Sequence, residues 1–207
     1  MSPKRYFGGI TGGSASGKTS FIHALRESFG PQKISLLSQD NYYREARYHI
    51  RDEKGEINFD LPECIDYEAF FSDLEKLRAD QEVIRPEYLF QLKDREPDQI
   101  HILPAPIIVV EGLFIFYFER IFQALDLKIF VDASDDVKLK RRLFRDITER
   151  GVPEDLVLYQ WENHVLPAYE KYLLPFKNAA DIVINNNEHF LNSLEVLKNH
   201  FRQILSS

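Results

Sequence analysis

Eight residues near the N-terminus, Gly12-Gly13-Ser14-Ala15-Ser16-Gly17-Lys18-Thr19, have the types and spacing to hold a polyphosphate. The glycines let the backbone turn tightly with its N–H groups inward, and the following helix adds its own N-terminal N–H groups to the same concave anion site. Lys18 supplies a mobile positive charge for the outer phosphates, and the Thr19 hydroxyl is placed to ligate a magnesium ion bridging them. Such a loop means something only between a strand and a helix. Apolar residues at 6–11 precede it and a helix-like run at 21–29 follows, so a nucleoside triphosphate site is expected here.

Acidic groups stand at other strand ends. Asp40 lies in the run Ser38-Gln39-Asp40-Asn41-Tyr42-Tyr43-Arg44, in which the second strand ends. It reads either as a turn cap or as a carboxylate facing the crevice. Glu111 ends the buried run Ile107-Ile108-Val109-Val110-Glu111-Gly112, where a second acidic contact to a nucleotide-bound magnesium is expected. A buried carboxylate needs a partner, whether a metal, a lysine or a backbone amide. Further on, Arg141, Arg142 and Arg145 gather on one side of a helix. They form either exposed ion pairs (Arg142 with Asp146, Arg145 with Glu149) or a lid that neutralises charge on a transferred group, and the lid is the favoured reading. Gly151 and Pro153 supply its hinge.

The elements that must position these groups alternate between apolar runs and helix-period segments. Strands are expected at 6–11, 33–37, 107–110, 127–131 and 181–184, and helices at 21–29, 67–79, 118–124, 137–149, 156–174 and 190–205. This is the α/β pattern of a five-stranded parallel sheet covered on both faces, with ligands bound at the C-terminal strand ends. Residues 82–104 interrupt it and read as a β-hairpin insertion, along which Tyr88 and Phe90 share one strand face, either to stack a planar ligand or to plug the hairpin onto the body. A lid spans about 137–175, and residues 1–207 are read as a single domain.

Composition sets the outer limits. A chain of 207 residues, 44% hydrophobic and 29% charged, is long enough to bury a substantial core. The net charge of -7 argues against nucleic acid held by a general phosphate-binding surface. The lone Cys64 forms no internal disulfide and no Cys/His spacing suggests zinc. No apolar run reaches membrane-spanning length and no signal peptide is recognised, so a cytoplasmic location without membrane partners is expected.

With these pieces in order, the chain resembles the uridine-cytidine kinase family, a branch of the phosphoribulokinase and uridine kinase group of P-loop kinases. The similarity runs from about Phe7 to Asn185. It rests on the phosphate loop, Asp40 to Arg44, Asn58-Phe59-Asp60-Leu61-Pro62, Val110-Glu111-Gly112, Arg141 to Gly151, and Leu166-Pro167-Ala168-Tyr169 leading to Ala180-Asp181-Ile182-Val183-Ile184. The resemblance implies ATP (or GTP) as donor, Mg2+ held by Thr19, Asp40 and Glu111, and a pyrimidine ribonucleoside as acceptor. It implies that Asp40 accepts the proton of the 5′-hydroxyl, that Asp60 holds the ribose and that Tyr43 and Tyr88 border the base. It places Arg142 by the reacting hydroxyl, Arg145 and Arg150 on the triphosphate and Gln160 at the rim of the nucleoside pocket. It also implies a homo-oligomer, with tetramers frequent among relatives. Two positions depart from the pattern: Lys93 stands where a base-reading histidine is usual, and Val152 where another arginine is usual. A kinase of the same family acting on another alcohol, or a nucleotide-binding regulator, therefore stay open as alternatives.

Overall fold

The computed structural model describes residues 5–89 and 96–206. Its strands are β1 (Tyr6–Thr11), β2 (Ile34–Ser38), β3 (Val83–Pro86), β4 (Gln99–Ile102), β5 (Ile107–Glu111), β6 (Leu127–Asp132) and β7 (Ile182–Asn185). Five of them form a sheet in the order β2-β5-β1-β6-β7, every neighbouring pair parallel. The expected five-stranded sheet is therefore present, with most boundaries shifted by a residue or so.

Strand β5 shows why the sheet is central. Side chains alternate across a pleated strand, so Ile108 and Val110 enter one apolar layer while Ile107 and Val109 enter the other. The first layer is completed by α2 (Tyr67–Arg78) and α3 (Glu119–Ala124), through Phe70, Leu74, Leu77 and Ile121. The second is completed by α1 (Lys18–Phe29) and a C-terminal helix (Leu191–Ser206), through Phe21, Ile22, Leu25, Leu194, Leu197 and Phe201. Removing the ring of the fully buried Phe201 would cost about 3 to 5 kcal/mol.

The strand order also locates the crevice. From β1 the chain travels outward to β2, returns to fill the gap with β5, and crosses β1 again to reach β6. The C-terminal ends of β1, β2 and β5 thus flank the point where the winding reverses, and ligands bind there in open α/β sheets.

The insertion is a hairpin, β3 pairing antiparallel with β4 from Val83↔Ile102 to Pro86↔Gln99. Arg85 fastens it to the body: its Nη1 donates to Asp73 Oδ2 at 3.0 Å, and its guanidinium lies 3.7 Å from the centre of the Tyr42 ring. Asp73 also accepts from Tyr42 Oη at 3.0 Å and from Lys76 Nζ at 2.6 Å. Phe90 and Lys93 lie outside the described residues.

One expected element differs. After α4 (Asp135–Thr148), the segment expected at 156–174 is helical throughout but changes its hydrogen-bonding pattern along its length: α5 (Glu154–Gln160), π-helical Trp161–Val165, α6 (Leu166–Ala168), π-helical Tyr169–Leu173 and 3-10 Leu174–Ala179. Pro167 and Pro175 have no amide hydrogen to give, so the regular i to i−4 ladder cannot continue through them. The C-terminal helix is α7.

Candidate active site

Between β1 and α1 the phosphate loop adopts backbone that only its small residues tolerate. Gly12 has φ 149° and Gly17 φ 99°. A Cβ on Gly12 would lie 2.1 Å from the Val131 carbonyl oxygen, and one on Gly17 would lie 2.1 Å from Asn186 Nδ2. Ala15 is also left-handed, with φ 59°, a conformation that costs a non-glycine residue of order 1 kcal/mol or more. The loop is braced from β7's end and from α4. Asn186 Nδ2 donates to the Ser16 carbonyl at 2.8 Å, and Arg141 Nη2 donates to the Asn186 carbonyl at 2.9 Å. Arg141 thus also serves the loop's shape. The Ser16 hydroxyl is buried with no protein partner. Lys18 Nζ donates to the carbonyls of Gly12 at 2.8 Å and Gly13 at 3.0 Å.

This loop floors a cleft of about 660 Å³. Ser14, Ala15, Gly17, Lys18, Thr19, Asp40, Tyr43, Asp60, Glu111, Arg142, Arg145, Arg150 and Gln160, scattered along the sequence, all line it. Gly12, Gly13 and Ser16 shape the loop from behind. Tyr88 is the described residue that falls outside: it packs on Tyr43 with ring centres 5.4 Å apart, and its amide donates to Asn41 Oδ1 at 3.2 Å. It joins the hairpin to the wall behind Tyr43, the plugging role.

The two readings of Asp40 resolve geometrically. Its turn, Gln39–Tyr42, is capped by Ser38, whose hydroxyl accepts from the Asp40 amide at 3.3 Å. The Asp40 carboxylate is therefore spared for the cleft. It is open to the cleft yet surrounded by protein; burial raises its pKa, with Lys18, Arg150 and Arg145 opposing. Glu111 sits level with Ser38 on β2 and Ile10 on β1, and the Ser38 hydroxyl donates to it. Burial and the neighbouring Asp40 charge push Glu111 up to about 7. Burial lowers Lys18, while Glu111, Asp40 and Asp60 counteract. Two neighbouring carboxylates whose proton affinity burial raises, beside a threonine hydroxyl and a phosphate loop, suit a divalent cation shared with phosphate oxygens. Among the described residues no group of three His, Cys, Asp or Glu makes a metal site alone, so phosphates would complete the shell.

Opposite, Asp60 is set by an Asx turn in which its amide donates to Asn58 Oδ1 at 2.9 Å. Burial raises its pKa, opposed by Arg142 and Arg145. The Tyr43 hydroxyl donates to the Phe59 carbonyl at 3.3 Å, and burial with the Asp40 and Asp60 charges raises its pKa strongly.

The arginines of α4 and the turn after it converge on one acid. Asp146 lies 3.3 Å from Arg142 Nε, 2.8 Å from Arg145 Nε and 3.2 Å from Arg150 Nη1. The pairing of Arg142 with Asp146 is real, but both side chains are under 10% exposed, so the surface-pair account is incorrect. Arg145 goes to Asp146 and not to Glu149. Arg142 also reaches forward, donating from Nη1 to Ser14 Oγ at 3.0 Å and from Nη2 to Gln160 Oε1 at 3.4 Å.

Sequence reasoning missed three contributors: Asp146 as the hub of the lid, Asn186 as brace of the phosphate loop, and His164 in the cleft wall. The four-residue spacing of His164 from Gln160 was the available signal for the last.

The profile of the Phosphoribulokinase / Uridine kinase family matches residues 7–191. The chain belongs to that family. A uridine kinase of Lactococcus lactis subsp. lactis is 36% identical over 176 residues, covering 85% of each chain. A uridine kinase of Brevibacillus brevis is 33% identical over 197 residues, 95% of this chain and 92% of that one. Uridine-cytidine kinase A of Dictyostelium discoideum is 34% identical over 94% of this chain, which spans only 38% of that longer protein. In fold, this family member is similar to the D-glycerate 3-kinase of Cryptococcus neoformans, with TM-score 0.60, 14% identity and coverage of 89% and 87%. It is also similar to a structure described as a possible uridine kinase from Bacillus stearothermophilus, with TM-score 0.62, 18% identity and coverage of 88% and 90%.

Proposed function

We propose that this P-loop kinase transfers the γ-phosphoryl group of ATP to the 5′-hydroxyl of uridine or cytidine, giving UMP or CMP in pyrimidine salvage. The observation that carries the reading is one cleft that holds a phosphate loop with Lys18, a lid of arginines and two separate acids, Asp40 and Asp60. A slow hydrolase used as a switch has no need of that second, acceptor-side pair. The names of the bacterial relatives support the choice of acceptor.

In this reading the loop amides and Lys18 hold the outer phosphates of ATP, or of GTP as alternative donor. Arg145 and Arg150 close on them from the lid. Asp60 takes the ribose hydroxyls, Tyr43 walls the base and Gln160 borders the nucleoside, with Tyr88 acting through Tyr43. Asp40 accepts the proton of the reacting hydroxyl, and Arg142, held against Ser14, lies beside that hydroxyl. Thr19, Asp40 and Glu111 would hold a magnesium ion together with the nucleotide, and that ion would supply positive charge to the phosphate oxygens. The proposal includes a cytoplasmic homo-oligomer of single-domain chains, with 137–175 moving as the lid. Among the described residues no helix is long and apolar enough to cross a membrane.

A second reading keeps the chemistry and changes the acceptor, favoured by Val152 on the cleft wall where the family usually has an arginine. ADP release measured across nucleosides, sugars and sugar phosphates, with water as control, decides between them. Turnover with uridine or cytidine at least tenfold above any other acceptor supports the first. Turnover confined to another alcohol supports the second, and turnover with water alone overturns both.

A further inference from the structure

His164 belongs to the helical second half of the 137–175 segment, in a π-helical turn, and is 3% exposed, yet it lines the cleft. Single π turns inside helices occur frequently at functional sites. Its Nε2 lies 2.7 Å from Asp52 Oδ2, on the loop running from Tyr43 to Asp60. That carboxylate is well fixed. It also accepts from the Tyr159 hydroxyl at 2.9 Å and, through Oδ1, from the amides of Lys54 at 2.8 Å and Glu56 at 2.9 Å. These bonds hold Asp52 down at about 2, so it is an anion throughout the neutral range. Lys54 in turn lies 3.8 Å from the centre of the Tyr159 ring.

An ionised carboxylate only accepts, so Nε2 must carry a proton. In the neutral imidazole the lone pair is then on Nδ1. Among the described residues Nδ1 has no hydrogen-bond partner and is not one of the enclosed unpartnered atoms, and its residue lines the cleft. The ring meets that of Tyr159 edge-on with centres 5.8 Å apart, and Asp60, Gln160, Phe59, Ile57 and Val152 line the same cleft, Asp60 and Gln160 being groups assigned to the acceptor.

We propose that His164 is a specificity-determining residue, its Nδ1 accepting a hydrogen bond from an N–H or O–H donor of the bound acceptor, with Asp52 fixing the tautomer. The inference rests on the nucleoside reading and names the contact that replaces base recognition at the two departing positions. The flat apolar walls of Phe59, Ile57 and Val152 favour a donor on the base, such as N3–H of uracil or the amine of cytosine, over a ribose hydroxyl.

Two substitutions separate touching from scaffolding. His164→Gln keeps a donor at the Nε2 position for Asp52 and removes the cleft-facing acceptor, whereas His164→Asn keeps an acceptor at the Nδ1 position and gives up Asp52. Loss of one neutral hydrogen bond corresponds to roughly tenfold. Expected for His164→Gln is a roughly tenfold higher KM for uridine, unchanged KM for ATP and kcat within about threefold, with His164→Asn closer to the parent. Against N3-methyluridine, which lacks the donor, parent and His164→Gln should differ little, while the tenfold gap should persist with 2′-deoxyuridine. A gap that vanishes with 2′-deoxyuridine and survives with N3-methyluridine would retain the contact and overturn its assignment to the base.

Equal KM for parent and His164→Gln, or a gap indifferent to every analogue, would overturn the proposal. If the parent turns over only a non-nucleoside alcohol, the nucleoside reading fails separately. The His164 contact is then read from the same KM ratio on that alcohol, and no acceptor turnover at all would sink both.

Discussion

Asp146 and Arg142 face each other across 3.3 Å in the wall of the cleft, both nearly sealed from bulk water, and Arg145 and Arg150 close on the same carboxylate. One negative charge therefore organises three positive ones that would otherwise repel. Burial lowers the pKa of Arg150, and Arg145 reinforces it. Arg142 is thereby aimed at Ser14 and the phosphate loop.

Neutralising that hub should loosen the lid before it touches the floor. Asp146→Asn leaves the buried Arg142 guanidinium without its counter-charge, a loss of about 3 kcal/mol by analogy with broken buried pairs. Urea unfolding of the unliganded variant measures it. Saturating ATP should restore more stability to the variant than to the parent, because the triphosphate supplies negative charge to the same arginines. Equal ATP stabilisation of both proteins would separate the lid from the donor.

Asp40 and Lys18 should fail in different ways. Asp40→Asn removes the proton acceptor, and the expected fall in kcat is about 10²- to 10⁴-fold with ATP affinity within about threefold. Lys18→Ala removes the mobile cation, so the rise in melting temperature on titrating ATP should largely vanish. Comparable turnover in Asp40→Asn would remove that carboxylate from the base role. An unaltered thermal shift in Lys18→Ala would remove the lysine from the nucleotide.

The parts legible in the sequence were those with local rules. The phosphate loop is written in residue order because only glycine fits its φ angles, and β5 shows as an unbroken apolar run because it is covered on both faces. Glu111 could be marked by its place at the end of a buried strand, whereas Asp60 was marked only by the family resemblance. What did not show was set by distant partners: Asp146 as an acid for three arginines, Asn186 reaching back to Ser16, and His164 meeting Asp52 across 112 positions. The helical segment over 156–174 was legible, but its π turns were not, because apolar spacing persists through Pro167, where the regular backbone ladder cannot.

The Glu111 carboxyl gives a pH dependence with a definite sign. Folding raises it from 4.5 to about 7, so the folded protein binds the extra proton between those values and the unfolded chain does not. Stability from this group is complete below pH 4.5 and is lost as pH rises through about 7. In unliganded protein, Glu111→Gln should flatten that decline by an amount of order 2 kcal/mol, measured by urea unfolding from pH 5 to 8. With ATP bound, magnesium affinity should weaken as pH falls through about 7, since protons then compete for Glu111. A decline of the same steepness in Glu111→Gln would place the titration elsewhere.

Gly17 and Asn186 supply the sharpest steric test of the phosphate loop. A methyl group at Gly17 would meet Asn186 Nδ2 at 2.1 Å and would also have to adopt φ 99°, so Gly17→Ala is opposed by both contact and backbone. Relief by moving Asn186 would break its 2.8 Å bond to the Ser16 carbonyl, and with it the link to Arg141. Gly17→Ala should therefore weaken ATP binding at least tenfold in a calorimetric titration. Asn186→Ala, which frees the space but removes the brace, should weaken it less. In Gly17→Ala/Asn186→Ala the clash is gone and the φ strain remains, so ATP affinity should recover only part of the loss. Full recovery would show that the contact alone matters and that the left-handed backbone at Gly17 is dispensable.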